Sequence, residues 1–280
     1  MNENAVAIGN ESAALGANST AIGNDTVASG ASSAAFGDGA EATGNVQATA
    51  LGANSAAAAN NSTAVGSQAR ATAPEASAFG TGAVANEVSA TALGSNAFAS
   101  TAGSVALGSR SFASDIGAIA IGDSANASGA GGIALGSGAI ANAPGSVAIG
   151  TSSVATGVNE VSIGAPGAER RLTNVAPGLL PTDGVNVQQL TDVQQEARRG
   201  IAGAVALTNN IQPSRPGKTT LSAGLGHYKD QTALGLGVNH WLKLGKDEDK
   251  APRVFINGGA SISEGGGEDN VYRVGVGVEF

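Results

Sequence analysis

The chain has 280 residues and a mass of 26.8 kDa, and its 43 glycines and 56 alanines leave more than a third of its positions with at most one side-chain carbon. Aromatics are 3% and charged residues 13%, which is too little bulk for a conventional interdigitated core and too little charge for a solvated coil. With 8 prolines and no Gly-X-Y period collagen is excluded, and with no cysteine there is neither a disulfide framework nor a Cys metal site. The net charge of −8 sits wholly in residues 1–168, where Arg70 and Arg110 face ten acidic side chains. That imbalance argues against nucleic acid as a partner, because such binding needs clustered cations to displace counterions.

The first residues, Met1-Asn2-Glu3-Asn4, carry no basic segment and no apolar run. An exported chain would have had its signal removed, lost or left outside this sequence. No apolar run reaches 18 residues, so no membrane-spanning helix is expected.

From the start the sequence repeats. Glycines fall at 9, 23 and 37, then at 52, 66, 80 and every 14 residues to 164, with one residue inserted near Val46. This gives eleven full units, beginning at 4, 18, 32, 47 and then every 14 residues to 145, and a partial unit from Asn159. The residue two before each glycine is always Ala, and the one directly before it is always apolar, from Ile8 to Ile149. The residue three before it is mostly β-branched, and the residue five after it is Ala throughout. Such alternation predicts two short parallel strands per unit, separated by Gly and Ser/Asn turns. Strands stacked about 4.8 Å apart make eleven turns a roll of roughly 50 Å.

Side-chain size assigns the faces. Val147 and Ile149 are expected inside the roll, opposite small Ser153 and Ala155, with Ala148 pointing out. The outward alanine row Ala78, Ala92, Ala106, Ala120, Ala134 and Ala148 would then be the interface for self-association. The other outward column, four after each glycine, varies: Ala13, Val27, Glu41, Ala56, Arg70, Val84, Phe98, Phe112, Asn126, Ile140 and Val154. Phe98 and Phe112 lie one turn apart and are the candidate ligand strip; the bland alternative is that this column packs on a neighbouring subunit or loop. Acyltransferase solenoids repeat every six residues and need a histidine, which residues 1–168 lack, and ice-binding solenoids need outward Thr ladders; both fit poorly.

The runs Asn4-Ala5-Val6-Ala7-Ile8-Gly9, Asn18-Ser19-Thr20-Ala21-Ile22-Gly23 and Gly145-Ser146-Val147-Ala148-Ile149-Gly150 resemble the head repeat of YadA-like trimeric autotransporter adhesins. The resemblance implies a head of left-handed parallel β-rolls, three chains side by side. Beyond the repeat, Arg170-Arg171-Leu172-Thr173-Asn174-Val175 and Thr182-Asp183-Gly184-Val185-Asn186-Val187 resemble that family's neck, from a β-roll trimer to a coiled coil. Pro177, Gly184 and the insert Leu179-Leu180-Pro181 depart from its pattern.

Asp183 is an acceptable N-cap for the helix that follows. Val187, Leu190, Val193, Ala197, Ile201 and Ala204 recur three and four apart, a coiled-coil seam interrupted at Gln194, with Leu190 and Ile201 as interface candidates. Four amphipathic strands follow, about Thr219–Tyr228, Gln231–Leu242, Arg253–Ser263 and Val271–Phe280. Each has the length of a tilted membrane strand. Apolar residues such as Val274, Val276 and Val278 share one face, and Arg273, Gly275, Gly277 and Glu279 the other. Four strands cannot close a barrel in one chain and open edges are not tolerated in lipid, whereas three chains give twelve strands and a closed wall. The resemblance implies the same trimeric 12-stranded outer-membrane barrel, with helices in its pore. Phe280 resembles the terminal aromatic read by the outer-membrane barrel assembly machinery.

His227 and His240 lie in these strands and read as wall residues, and Asp123 and Glu160 as solvated turn residues; Gly129–Gly132 lacks the Lys-Ser/Thr of a phosphate loop. No catalytic constellation, cofactor or metal is expected. The organisation expected is a mainly β chain: a β-roll head over 1–164, a neck over 165–186, a short coiled coil over 187–212 and an anchor over 213–280. The resemblance implies a homotrimeric surface adhesin. Its partners would be host extracellular-matrix or cell-surface proteins, other copies in autoaggregation, the outer-membrane lipid and the assembly machinery. The alternative is a structural surface rod or spacer without a specific ligand.

Overall fold

The computed structural model describes residues 3–209, 211–244, 253–263 and 270–279. It divides into two compact units, Met1–Arg171 and Leu172–Phe280.

The first unit is a parallel β-solenoid. Each 14-residue unit yields one strand of three residues ending just before the glycine and one of two residues shortly after it, as in Val147–Ile149 and Val154–Ala155. The longer strands stack into a 12-stranded sheet and the shorter ones into an 11-stranded sheet. The rungs stack column on column, as in the alanine row: Ala106 on Ala120, Ala120 on Ala134, Ala134 on Ala148. The inserted residue changes nothing in the strands, since Ala35 still faces Ala50 and Glu41 still faces Ala56. A bridge between Ala31 and Val46 shows that the turn absorbs it.

The recurring glycine is demanded by the backbone. Gly66 has φ +124°, a region that side chains disfavour, and a Cβ there would lie 2.6 Å from the carbonyl carbon of Gly80 one turn on. The turns between strands place Asn or Ser at left-handed positions, such as Asn54 and Asn96, both at φ 54°.

The expected facing of the longer strand is reversed. Ala148 is 0% exposed and Ile149 is 41% exposed. The same holds along the row: Ala78, Ala92, Ala106, Ala120 and Ala134 are fully buried inside one chain, so they cannot form an interface between chains. Ser153 and Ala155 do point inward, as expected. The reason is volume. Four inward positions per turn face one another across a closed, flattened loop, and in the last full unit they are Ser146, Ala148, Ser153 and Ala155. Nothing larger than Thr is fully buried in the roll. The larger Val, Leu, Ile and Phe are therefore excluded from the interior. Its few hydroxyls are satisfied at the corners, as where Ser146 Oγ donates to the Ala143 carbonyl at 2.7 Å and Thr26 Oγ1 to the Gly37 carbonyl at 2.6 Å.

The second unit holds a helix, Val187–Ala206, and a 4-stranded antiparallel sheet in chain order: Thr219–Tyr228, Gln231–Leu242, Arg253–Ser263 and Val271–Glu279. The strands fall where the alternation places them, and Phe280 lies outside the described residues. The helix begins later than expected. Its N-cap is Asn186, whose side chain accepts from Gln189 N–H while the Gln189 side chain returns to Asn186 N–H, a capping box.

An Ala120→Leu substitution tests the reversed facing. Overpacking so tight an interior should destabilise the roll by about 1–3 kcal/mol or more. Ile121→Ser, whose side chain lies outside, should cost a single chain much less. Denaturant unfolding followed by circular dichroism separates the two; equal shifts would contradict this facing.

Candidate adhesive faces, neck and membrane anchor

Two different surfaces result from the small interior. The outward face of the longer-strand sheet carries two columns, three and one before each glycine. Neither contains a charge in eleven turns, and Leu51, Leu93, Leu107, Leu135 and Ile149 on it are exposed. The shorter-strand sheet presents the variable column. There Phe98 and Phe112 pair in register with ring centroids 5.3 Å apart and planes within 7°, a stacked pair, and Phe112 is 38% exposed. Half-buried Val84, Asn126, Ile140 and Val154 continue the strip.

Beyond the last turn the ladder has no further rung, and Arg170 takes its place. Its guanidinium donates to Ser153 Oγ and the Ile163 carbonyl, each at 2.7 Å, and to the Thr151 carbonyl at 2.5 Å. A cleft of about 590 Å³ lies beside it, lined by Val154, Glu160, Val161, Glu169 and Arg170 among others. Glu160 is not simply solvated: its carboxylate accepts from Thr156 N–H at 2.8 Å and Gly157 N–H at 2.5 Å. Asp123 pairs with Arg110 at 3.2 Å.

In the neck the two sequence phrases are joined by hydrogen bonds. Asn186 Nδ2 donates to the Val175 carbonyl at 3.2 Å, and Gln189 exchanges two bonds with the Gly178 backbone, at 2.9 and 3.1 Å. Asp183 does not cap the helix. It accepts from Leu179 N–H at 2.9 Å and Leu180 N–H at 3.0 Å, holding the inserted loop. Those backbone bonds, Leu180 first and Leu179 second, hold its carboxyl below the usual Asp range. Leu172, Thr173, Asn174, Val185 and Val187 are exposed, and Asn174 is left-handed at φ 61°. Arg170 and Gln189 were legible only as parts of a motif; their bonding roles come from the geometry.

In the anchor, the helix lies on the glycine-rich face of the sheet. A Cβ on Gly226 would sit within 2.0 Å of the Ala202 carbonyl oxygen, and one on Gly235 or Gly224 within 2.5 Å of the Ala206 oxygen. Ala202, Gly203 and Ala206 are buried at this contact, whereas Leu190, Val193, Ile201 and Val205 on the helix remain exposed. Polar bonds fix the helix near its middle and at its C-terminus. Arg198 pairs with Asp230 in the hairpin at 3.1 Å, and Arg273 Nη1 donates to the Leu207 carbonyl at 3.0 Å. The opposite face is apolar and open: Leu221, Leu225, Leu236, Ile256, Ile262, Tyr272, Val276 and, at 85% exposure, Val274. His227 and His240 each meet a threonine on the adjacent strand, Thr232 at 3.0 Å and Thr219 at 2.8 Å, as wall residues do. Among the described residues no three metal-ligating side chains gather.

The repeats match the family description "YadA head domain repeat (2 copies)" eight times, over residues 2–26, 28–55, 45–69, 57–83, 71–97, 85–111, 113–139 and 141–165. Residues 171–213 match the coiled stalk of trimeric autotransporter adhesin, and residues 211–280 the YadA-like membrane anchor domain. The chain belongs to the YadA-like trimeric autotransporter adhesins. It is thereby an outer-membrane-anchored, surface-exposed protein, and its sheet contributes to a barrel.

Curated relatives include autotransporter adhesin NhhA of Neisseria meningitidis serogroup B, 33% identical over 112 residues, which are 34% of this chain and 18% of that protein. Autotransporter adhesin BtaF of Brucella suis is 38% identical over 55 residues, 20% of each chain. Immunoglobulin-binding protein EibA of Escherichia coli is 33% identical over 93 residues, 33% of this chain and 21% of that protein. The chain thus spans about a fifth of the length of these relatives. Among solved structures, the collagen-binding domain of Yersinia adhesin YadA is 29% identical, covering 70% of this chain and 99% of that one with a TM-score of 0.45.

Two outcomes follow. Gly226→Val, which puts a branched side chain into the Ala202 backbone, should abolish the heat-resistant oligomer on an unheated gel, while Val274→Leu on the open face should leave it intact. Asp183, with its lowered carboxyl, stabilises the neck loop above the ordinary Asp range and loses that effect as pH falls through its folded value. Amide protection at Leu179 and Leu180 should therefore be level near neutrality and fall in acid. Asp183→Asn should remove the difference, as read by hydrogen exchange.

Proposed function

We propose that three copies of this chain form one adhesin, and the observation that carries this is the anchor sheet. Its first and fourth strands are paired on one side only, and its outward face is apolar across the middle, flanked by the His240–Thr219 and His227–Thr232 pairs. Such edges are costly in lipid, and joining the fourth strand of one chain to the first of the next closes twelve strands without an edge. The helices, resting on the glycine face, occupy the lumen. In the head, the charge-free columns of the longer-strand sheet pack together in place of the alanine row, and Leu190 and Ile201 form the helical seam. The barrel exports its own head, with Phe280 as the signal to the assembly machinery and lipid around the wall.

The head attaches the cell to host matrix or surface proteins, or to other heads in autoaggregation. Its variable column, with half-buried Phe98 stacked on exposed Phe112, is the contact strip. An adhesive role, not a catalytic one, accounts for a surface built from repeated apolar rungs. The relatives NhhA and BtaF are named as adhesins, and EibA as immunoglobulin-binding.

The detergent-extracted protein should run near three times 26.8 kDa unheated and collapse to the monomer only on strong heating. A monomer soluble without detergent would sink the anchor reading. On surfaces coated with collagen, fibronectin or immunoglobulin, Phe98→Ser with Phe112→Ser should lower binding of the full chain at least tenfold, with the heat-resistant oligomer retained. No binding by the unmodified chain, and no clumping of cells that display it, would leave a structural rod.

A further inference from the structure

The variable column holds two charges, Glu41 and Arg70. Both are exposed, and neither makes an ion pair or a side-chain hydrogen bond. Arg110, the only other basic residue in 1–168, is paired with Asp123, so Arg70 is the one unpaired cation among described residues 3–168. The ladder fixes where the two lie. Glu41 pairs with Ala56 on one side, and Arg70 pairs with Ala56 on the other. Two rungs at about 4.8 Å put their backbones roughly 10 Å apart, with a methyl group between them. Next outward come Val27 beyond Glu41 and Val84 beyond Arg70, then Ala13 and Phe98.

This order is self-complementary about Ala56. A two-fold axis parallel to the strands, lying between two facing sheets at the height of Ala56, sets Glu41 of one chain opposite Arg70 of the other, twice, and sets Val27 opposite Val84. The small residue at the centre allows the sheets to approach. A three-fold axis along the roll cannot do this, because it keeps every residue at its own height and opposes like charges. Two facing cells, in contrast, present their surface chains in opposite directions.

We propose that the Ala13–Phe98 stretch of this column is a docking strip for a second copy of this chain, antiparallel and centred on Ala56, with Glu41 of each paired to Arg70 of the other. The inference rests on the autoaggregation reading above and supplies its partner and register. The apolar rungs provide the contact, and the exposed ion pairs fix the alignment and make it salt-sensitive. Many weak pairs between two cells add up through multivalency.

Settling of cells displaying the full chain tests it. Glu41→Arg alone and Arg70→Glu alone should each slow clumping at least fivefold, since each opposes like charges. The double exchange should restore it, and mixed cultures of the two single variants should clump together. This last arm also shows that both variants are folded. As the chain has no cysteine, Val27→Cys and Val84→Cys should cross-link to each other when cells carrying each are mixed, and neither should cross-link to itself. Clumping by the single variants as fast as the parent, or a Val27→Cys chain cross-linked to its own kind, overturns the pairing but not the adhesive reading. A parent that does not clump at all overturns autoaggregation and the pairing with it.

Discussion

The protein depends on one steric limit: two β-sheets joined by short turns can close around only very small side chains. Each 14-residue turn leaves four inward positions, and alanine, serine, glycine and threonine fill them. Burying methyl groups yields little per residue, but the ladder repeats the gain eleven times and adds in-register backbone bonds at every rung. The same limit sends every large apolar side chain outward. The outward sheet face of the longer strands is therefore apolar by construction, the kind of surface that other chains or ligands cover.

The anchor meets a related constraint in another form. Here a helix, not a second sheet, must come close, and glycine takes the role of alanine. Gly224, Gly226 and Gly235 bring the strand backbone against Ala202 and Ala206 with no room for a Cβ. Once that face is committed to the helix, the apolar residues of each strand point the other way. Alternation in the sequence is thus the trace of one close contact and one open apolar face, and the two ion-assisted ties, Arg198 to Asp230 and Arg273 to the Leu207 carbonyl, hold the helix in place.

Much of this was legible in the sequence, because period and alternation are what residue spacing reports. The 14-residue repeat, the two strands per turn, the four anchor strands and the Phe98–Phe112 stack all appear where the spacing puts them. The facing of the longer strand did not follow, since alternation has the same period whichever set points inward. The discriminating signal was volume: Ser153 and Ala155 were already expected inside, and a loop whose opposite wall lies that close has no space for Val147 or Ile149. The helix start failed for a local reason. Asp183 and Asn186 are both good caps, and only the reciprocal Gln189 decides between them. Arg170 closing the roll was beyond pattern reasoning, as its partners are two carbonyls and a hydroxyl scattered 7 to 19 residues back in the chain.

Reversing that one facing changes what each surface is suited to. A three-fold axis along the roll sets every residue against copies of itself at the same height. Charge is then penalised at every rung, and a column that never carries charge is what such an axis requires. The two outward columns of the longer-strand sheet meet that condition through all eleven turns. The variable column does not: Glu41, Arg70 and Asn126 interrupt it, and side-chain size changes from Ala56 to Phe112 within five rungs. Uniformity suits a partner that is the same at every height, and variation suits one that differs. The alanine row is uniform too, but it is buried inside one chain. In the trimer we propose, the symmetric contact therefore falls to the Val/Leu/Ile columns, which leaves the strip of Arg70, Phe98 and Phe112 for recognition of anything other than an aligned copy.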